Sequence, residues 1–211
     1  MDLEDLRREY LMGGLKREDL DDDPYKQFER WMSQALEFEI KDPTAMSLAT
    51  VDADGQPSQR LVLLKHADEK GFVFFTNYRS QKASDIEQNA KVSLLFPWHT
   101  IERQVKIMGQ AEKIPTSESL KYFLTRPRES QIAAWASKQS HALTSRGFLL
   151  NQVEALRQKF AHGDIPLPDF WGGYRIRASK YEFWQGGANR LHDRFQYTQM
   201  NGVWEVERLA P

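Results

Sequence analysis

Between residues 24 and 40 the apolar positions Phe28, Trp31, Met32, Ala35 and Leu36 recur three and four apart, the period of one helix face. Asp23 followed by Pro24 supplies a matching start, a side-chain cap ahead of a residue that needs no N–H partner. From Met46 the pattern changes to short apolar runs rich in β-branched and aromatic residues. Strands are predicted at 46–51 and 58–65 around the turn Asp54-Gly55, then at 71–76 and 91–98, with a short helix at about 80–89 between the last two. Residues 101–114 read as one long strand with Glu102, Gln104 and Lys106 on a single face. Helices follow at about 116–125, 128–137 and 145–161, and Pro166 and Pro168 mark a loop. The tail returns to strands near 172–185, 191–199 and 203–209. Residues 1–23 are polar, contain Gly13-Gly14 and end in Asp21-Asp22-Asp23, so they are expected to form a mobile N-terminal arm. The remainder, 24–211, shows no linker or repeat and reads as one α+β domain built on an antiparallel, Greek-key-like barrel with flanking helices.

The 211 residues are 40% hydrophobic and 12% aromatic, enough for a sizeable core. The charges nearly balance at −1, which argues against a dedicated nucleic-acid binder. With no cysteine, thiolate zinc sites, disulfides, iron–sulfur clusters and cysteine nucleophiles are excluded. The longest apolar runs are far too short for a membrane span, and the charged N-terminus has no signal-peptide pattern, so a soluble, cytoplasmic protein is expected. The five histidines are scattered, and no metal site is expected.

Basic residues set within apolar, strand-like sequence carry the chemical signal. Arg60 and Lys65 bracket Leu61, Val62, Leu63 and Leu64. Either solvated strand ends or a bound anion lying across the strand would satisfy those charges. Tyr122, Arg126 and Ser130 stand at intervals of four, but Pro127 disfavours a helix through Arg126. One helix should therefore end near Thr125 and another begin at Pro127, with Ser130 in the first turn, as either an ordinary capped junction or a site whose free N–H groups favour an anion. After Trp184 and the Gly186-Gly187 turn, Arg190, His192 and Arg194 alternate, and on a strand they would share one face, either a polar face open to solvent or one lying under an anionic ligand. Ser80, Gln81 and Lys82 open a helix in a way that suits a phosphate or an ordinary cap. Together these segments describe a binder of one or two phosphorylated, planar ligands.

The segments Arg60 to His66, Ser93 to His99, Arg126 to Gln131, Trp135 to Ser140, Phe170 to Tyr174, Phe183 to Gly187 and Arg190 to Arg194 resemble pyridoxamine 5′-phosphate oxidases, and the likeness runs from about Arg7 to Pro211. The resemblance implies a homodimeric, FMN-binding split β-barrel with active sites at the subunit interface. It implies oxidation of pyridoxamine or pyridoxine 5′-phosphate to pyridoxal 5′-phosphate, with O2 reduced to H2O2. By position, the FMN set is Arg60, Leu61, Val62, Leu63, Leu64, Lys65, Phe75, Thr76, Gln81, Lys82, Gln104, Gln139, Ser140, Trp184 and Arg194. Lys65, Tyr122, Arg126 and Ser130 match the residues that hold the substrate phosphate. Arg190 and His192 match catalytic positions at the substrate ring, with Leu191 between them, and Arg7, Arg8, Glu9 and Tyr10 resemble a segment that closes over the site. Two positions depart from the pattern: Gln81 stands where arginine is common, and Phe75 where tyrosine is frequent. The rival reading is a non-catalytic split-barrel carrier or sensor of FMN or pyridoxal phosphate.

Overall fold

The computed structural model describes residues 8–137, 139–143 and 145–211, so Arg7 lies outside the described residues. Helix α1, Pro24–Glu37, starts where expected: the Asp23 carboxylate accepts from Tyr25 N–H and Pro24 occupies the first turn. It buries Phe28, Trp31 and Ala35, while Leu36 stays exposed. The helix stops short of residue 40 because Glu39 turns to a positive φ of 49°.

Among the described residues nine antiparallel strands follow: β1 Ala45–Val51, β2 Pro57–Leu63, β3 His66–Asp68, β4 Gly71–Asn77, β5 Lys91–Trp98, β6 Arg103–Lys113, β7 Trp171–Gln185, β8 Asp193–Met200 and β9 Val203–Leu209. They run in the order β2-β1-β5-β6-β7-β4-β3, with β8 and β9 branching from β7. The branch arises because β7 is long enough to serve two partners along one side. Its first residues pair with β4, its last with β8, and β6 runs along the other side. Such a sheet must curl. Between Met108 and Gly109 the β6–β7 register shifts, and a Cβ at Gly109 would lie 2.0 Å from the Arg177 carbonyl oxygen. Only glycine fits that bulge.

The strand expected through Lys65 breaks earlier, for a backbone reason. Leu64 N–H donates to Thr44 O, but Lys65 N–H donates to Val73 O, so here the chain leaves β1 and joins β4. That exchange creates β3, which the sequence pattern did not reveal. The long strand begins at Arg103, not at Ile101, because His99–Ile101 form a 3-10 turn closed by a left-handed Glu102. The helices α2 Gln81–Gln88, α3 Thr116–Thr125, α4 Arg128–Ala136 and α5 Arg146–Lys159 fall within a residue or two of expectation.

The main core packs Phe72, Phe74, Phe96, Trp98, Ile107 and Phe183 against α1. A smaller one gathers Phe123, Ile132, Phe160 and Trp171 beneath α3, α4 and α5. Residue 23 does not mark the edge of the packing: Leu15 and Leu20, within the expected arm, belong to the main core. Among the described residues no helix is long and apolar enough to cross a membrane.

Candidate active site

Where β2 and β4 meet α2, α3 and α4, the fold leaves a cavity of about 550 Å³. Arg60, Leu61, Val62, Leu63, Lys65, Phe75, Thr76, Gln81, Lys82, Tyr122, Arg126, Gln139 and Ser140 all line it, so most of the expected FMN set and three of the four phosphate residues converge. Leu64 does not, because the strand alternation turns it into the core. Ser130 sits in the first turn of α4, as expected, but is not part of the lining.

One side of the cavity is built around a carboxylate. Asp85, 1% exposed, accepts from Thr50 Oγ1 at 2.6 Å and from Gln81 Nε2 at 2.8 Å, and lies 3.7 Å from Arg60 Nη2. Arg60 also donates to Thr50 Oγ1 and Ser58 Oγ, which fixes its guanidinium. Lys82 Nζ reaches Thr76, Ser80 and Gln139 at 3.0–3.3 Å. Burial, and next the Arg60 charge, push the Lys82 ammonium down to about 8 against the pull of Asp85. Two cations confined beside one carboxylate leave a positive excess that an anion would relieve.

The other side is aromatic. Phe75 stacks on Tyr122 at 4.0 Å and on Trp171 at 5.3 Å, and the Arg126 guanidinium lies 4.7 Å from the Trp171 ring. Gln131 Nε2 donates to Arg126 O and braces this α3–α4 corner. Among the described residues Arg126 Nη1 is buried without a hydrogen-bond partner, and desolvation holds the guanidinium below its ordinary range. A buried guanidinium N–H without an acceptor is costly, and a phosphate oxygen would satisfy it. The donors and stacked rings therefore fit a planar, phosphorylated group.

The remaining expected residues form a second cluster. Gln104, Trp184, Arg190, Leu191, His192 and Arg194 do not line the cavity of their own chain. The expected alternation of Arg190, His192 and Arg194 on one strand face fails. Ala188–Arg190 form a 3-10 turn in which Asn189 and Arg190 have φ of 55° and 62°, and β8 starts only at Asp193. Gly187 itself is extended, with φ −137°, and its lack of a side chain lets Leu191 close on it, since a Cβ there would lie 2.3 Å from the Leu191 carbonyl oxygen. Leu191 is exposed. His192 instead folds back: its Nδ1 accepts from Gly187 N–H at 3.1 Å and its ring lies 4.6 Å from that of Trp184. Tyr10 meets both rings edge-on. Arg8 pairs with Glu102, and Glu9 accepts from Asn189 N–H at 3.4 Å. Arg194 is held by Glu182 at 2.8–2.9 Å and by Ala210 O at 2.8 Å.

Sequence reasoning missed Asp85, Glu182 and Trp171. Asp85 stands four residues after Gln81 on α2, and Glu182 two residues before Trp184 on one face of β7, so spacing offered a signal for both. Glu182 is buried between Lys106, at 2.5 Å, and Arg194, and those cations hold its carboxyl below the usual range despite burial.

Comparison with known proteins places this geometry among relatives. Residues 32–160 match the family profile described as Pyridoxamine 5′-phosphate oxidase, and residues 171–211 match the Pyridoxine 5′-phosphate oxidase C-terminal dimerisation region. The chain is 64% identical over 211 residues to a pyridoxine/pyridoxamine 5′-phosphate oxidase of Teredinibacter turnerae, covering 100% of both. It is 59% identical to the Escherichia coli protein of the same name, covering 98% of this chain and 94% of that one. Among solved structures, PhzG from Burkholderia lata, in complex with tetrahydrophenazine-1-carboxylic acid, is similar with a TM-score of 0.88 and 29% identity. That match covers 93% of this chain and 98% of the other.

Proposed function

The chain belongs to the pyridoxamine 5′-phosphate oxidase family, and on that premise we propose that its cavity takes FMN and the substrate phosphate together. It is an oxidoreductase that oxidises pyridoxine or pyridoxamine 5′-phosphate. The observation that carries the proposal is Arg126 Nη1, buried against Trp171 with no hydrogen-bond partner among the described residues, in a cavity that Arg60, beside Asp85, and Lys82 also line. Two separately built anion sites suit two phosphates. When bound, FMN would supply the two-electron acceptor for oxidation at C4′ of the substrate, with O2 as the final acceptor.

The protein's part is to bind and orient. Lys82, Thr76, Gln139 and Ser140 would hold the FMN phosphate, with Gln81 at the rim. Leu61 to Leu63 and Phe75 would border the ring system, and Arg126, Tyr122 and Lys65 would hold the substrate phosphate. Arg60 and Arg194 would supply fixed positive charge beside the electron-accepting ring system. Arg190 and His192 serve the substrate ring, Arg190 by position and His192 as a group that can move a proton. The C-terminal segment matches a dimerisation region. Because Gln104, Trp184, Arg190, His192 and Arg194 stand outside the cavity of their own chain, the reading requires that they complete the cavity of a partner across a homodimer interface.

The test is direct. Purified protein given FMN and pyridoxamine 5′-phosphate should release one H2O2 per aldehyde formed, and the substrate should bleach the flavin when O2 is withheld. A flavin spectrum unmoved by saturating substrate would replace the oxidase with a carrier.

A further inference from the structure

Glu102 stands between a 3-10 turn and β6 with φ 55° and ψ 37°, and it is 4% exposed. An acidic residue in a left-handed conformation, buried where no helix or strand needs it, requires a local reason. Its carboxylate supplies one. Oε1 accepts from Arg8 Nη2 and Oε2 from Met12 N–H, each at 2.9 Å. Its own carbonyl accepts from Gly186 N–H at 2.7 Å and from Gln185 Nε2 at 3.3 Å. One residue thus grips the N-terminal segment with its side chain and the turn ahead of Arg190 with its backbone. A second carboxylate continues the grip, since Asp193 Oδ2 accepts from Leu15 N–H at 2.9 Å.

Between these anchors Tyr10 is laid edge-on against Trp184, at 5.6 Å, and His192, at 5.4 Å. The seat is shaped for it: a Cβ at Gly186 would fall 2.6 Å from the Tyr10 ring. We propose that Glu102 is a positioning residue that latches residues 8–12 so that Tyr10 packs on the Trp184–His192 pair and shields it from water while the substrate ring is bound. This rests on the reading above that Trp184 and His192 serve the bound rings. Glu102 acts through Tyr10 and touches neither ligand in this account.

The experiment uses Glu102→Gln and Gly186→Ala in the full chain. Glu102→Gln keeps the shape but removes the charge that binds Arg8 and one acceptor. Hydrogen exchange on the apoprotein should show the Met12 amide exchanging about tenfold faster in Glu102→Gln, with Val105 and Ile107 unchanged. In Gly186→Ala the alanine displaces Tyr10 while Glu102 keeps Met12, so Met12 protection should persist. With FMN bound, both variants should raise KM for pyridoxamine 5′-phosphate about tenfold and leave kcat within about twofold. Unchanged Met12 exchange in Glu102→Gln overturns the latch. Faster exchange with an unchanged KM in either variant overturns the positioning role. Absence of turnover in the unaltered protein would instead refute the oxidase reading, and the exchange result would still decide the latch.

Discussion

Raising the pH should weaken the hold of the apoprotein on FMN, and Lys82 sets the size of the effect. The Lys82 ammonium is 7% exposed and is lowered from 10.5 to about 8 by burial and by Arg60. A phosphate dianion at Lys82 would restore the proton, returning the group towards its ordinary value. The complex then binds more protons than the free protein between those two values, so affinity falls as pH rises through about 8 and levels near 10.5. From pH 7 to pH 9.5 the dissociation constant should rise roughly thirtyfold, on the order of 2 kcal/mol, if the full shift is recovered. The same ammonium costs the empty fold most below about 8 and less above it, so the apoprotein should become harder to unfold over the window in which it loses affinity. Quenching of flavin fluorescence measures the binding at each pH, with riboflavin as the control that lacks the phosphate. Lys82→Met should flatten the FMN profile. A flat profile in the unaltered protein, or an equal slope with riboflavin, would refute the reasoning.

Arg126→Ala should lower kcat/KM for pyridoxamine 5′-phosphate by about two orders of magnitude and leave that for unphosphorylated pyridoxamine nearly unchanged, as steady-state rates on both substrates would show. Gln81→Arg should tighten FMN binding only about threefold, because Asp85 already accepts from position 81 and would capture much of the new charge; adding Asp85→Asn would show whether that capture is the limit. Arg79 does not stand in for the missing arginine, as its guanidinium lies over Phe170 at 4.7 Å and 3.5 Å from Asp169. Gly109→Ala should lower stability by about 3 kcal/mol or prevent folding, read by urea unfolding, because the methyl group would collide with the Arg177 carbonyl at the bulge.

The order of elements was legible because it depends on local periodicity: α3 ends at Thr125 and β5 spans Lys91–Trp98 as the apolar spacing implied. The cavity residues were legible as charges embedded in apolar runs, Arg60 and Arg126 above all. Three features were not. The break after Leu63 depends on Lys65 choosing Val73 as its backbone partner, a contact between strands that spacing does not encode. The Arg190–His192–Arg194 alternation misled because Asn189 and Arg190 lie in a turn with positive φ and β8 begins only at Asp193, and a period of two has meaning only on a strand. Spacing places Asp85 beside Gln81 and Glu182 beside Trp184, but what defines each as a site residue is the cations that approach it from other elements.

The division of the candidate residues into a cavity and a separate Trp184 cluster has a genetic consequence. If each working site draws one half from each chain, a defect in Arg126 and a defect in Arg190 belong to opposite halves. A mixed dimer of the two variants would then carry one site with both lesions and one with none. Two inactive proteins, exchanged at random into dimers, would together regain about a quarter of full activity. Cells carrying both alleles would survive where cells with either alone would not, whereas two lesions on the same half, such as Arg126 and Lys82, would fail to complement.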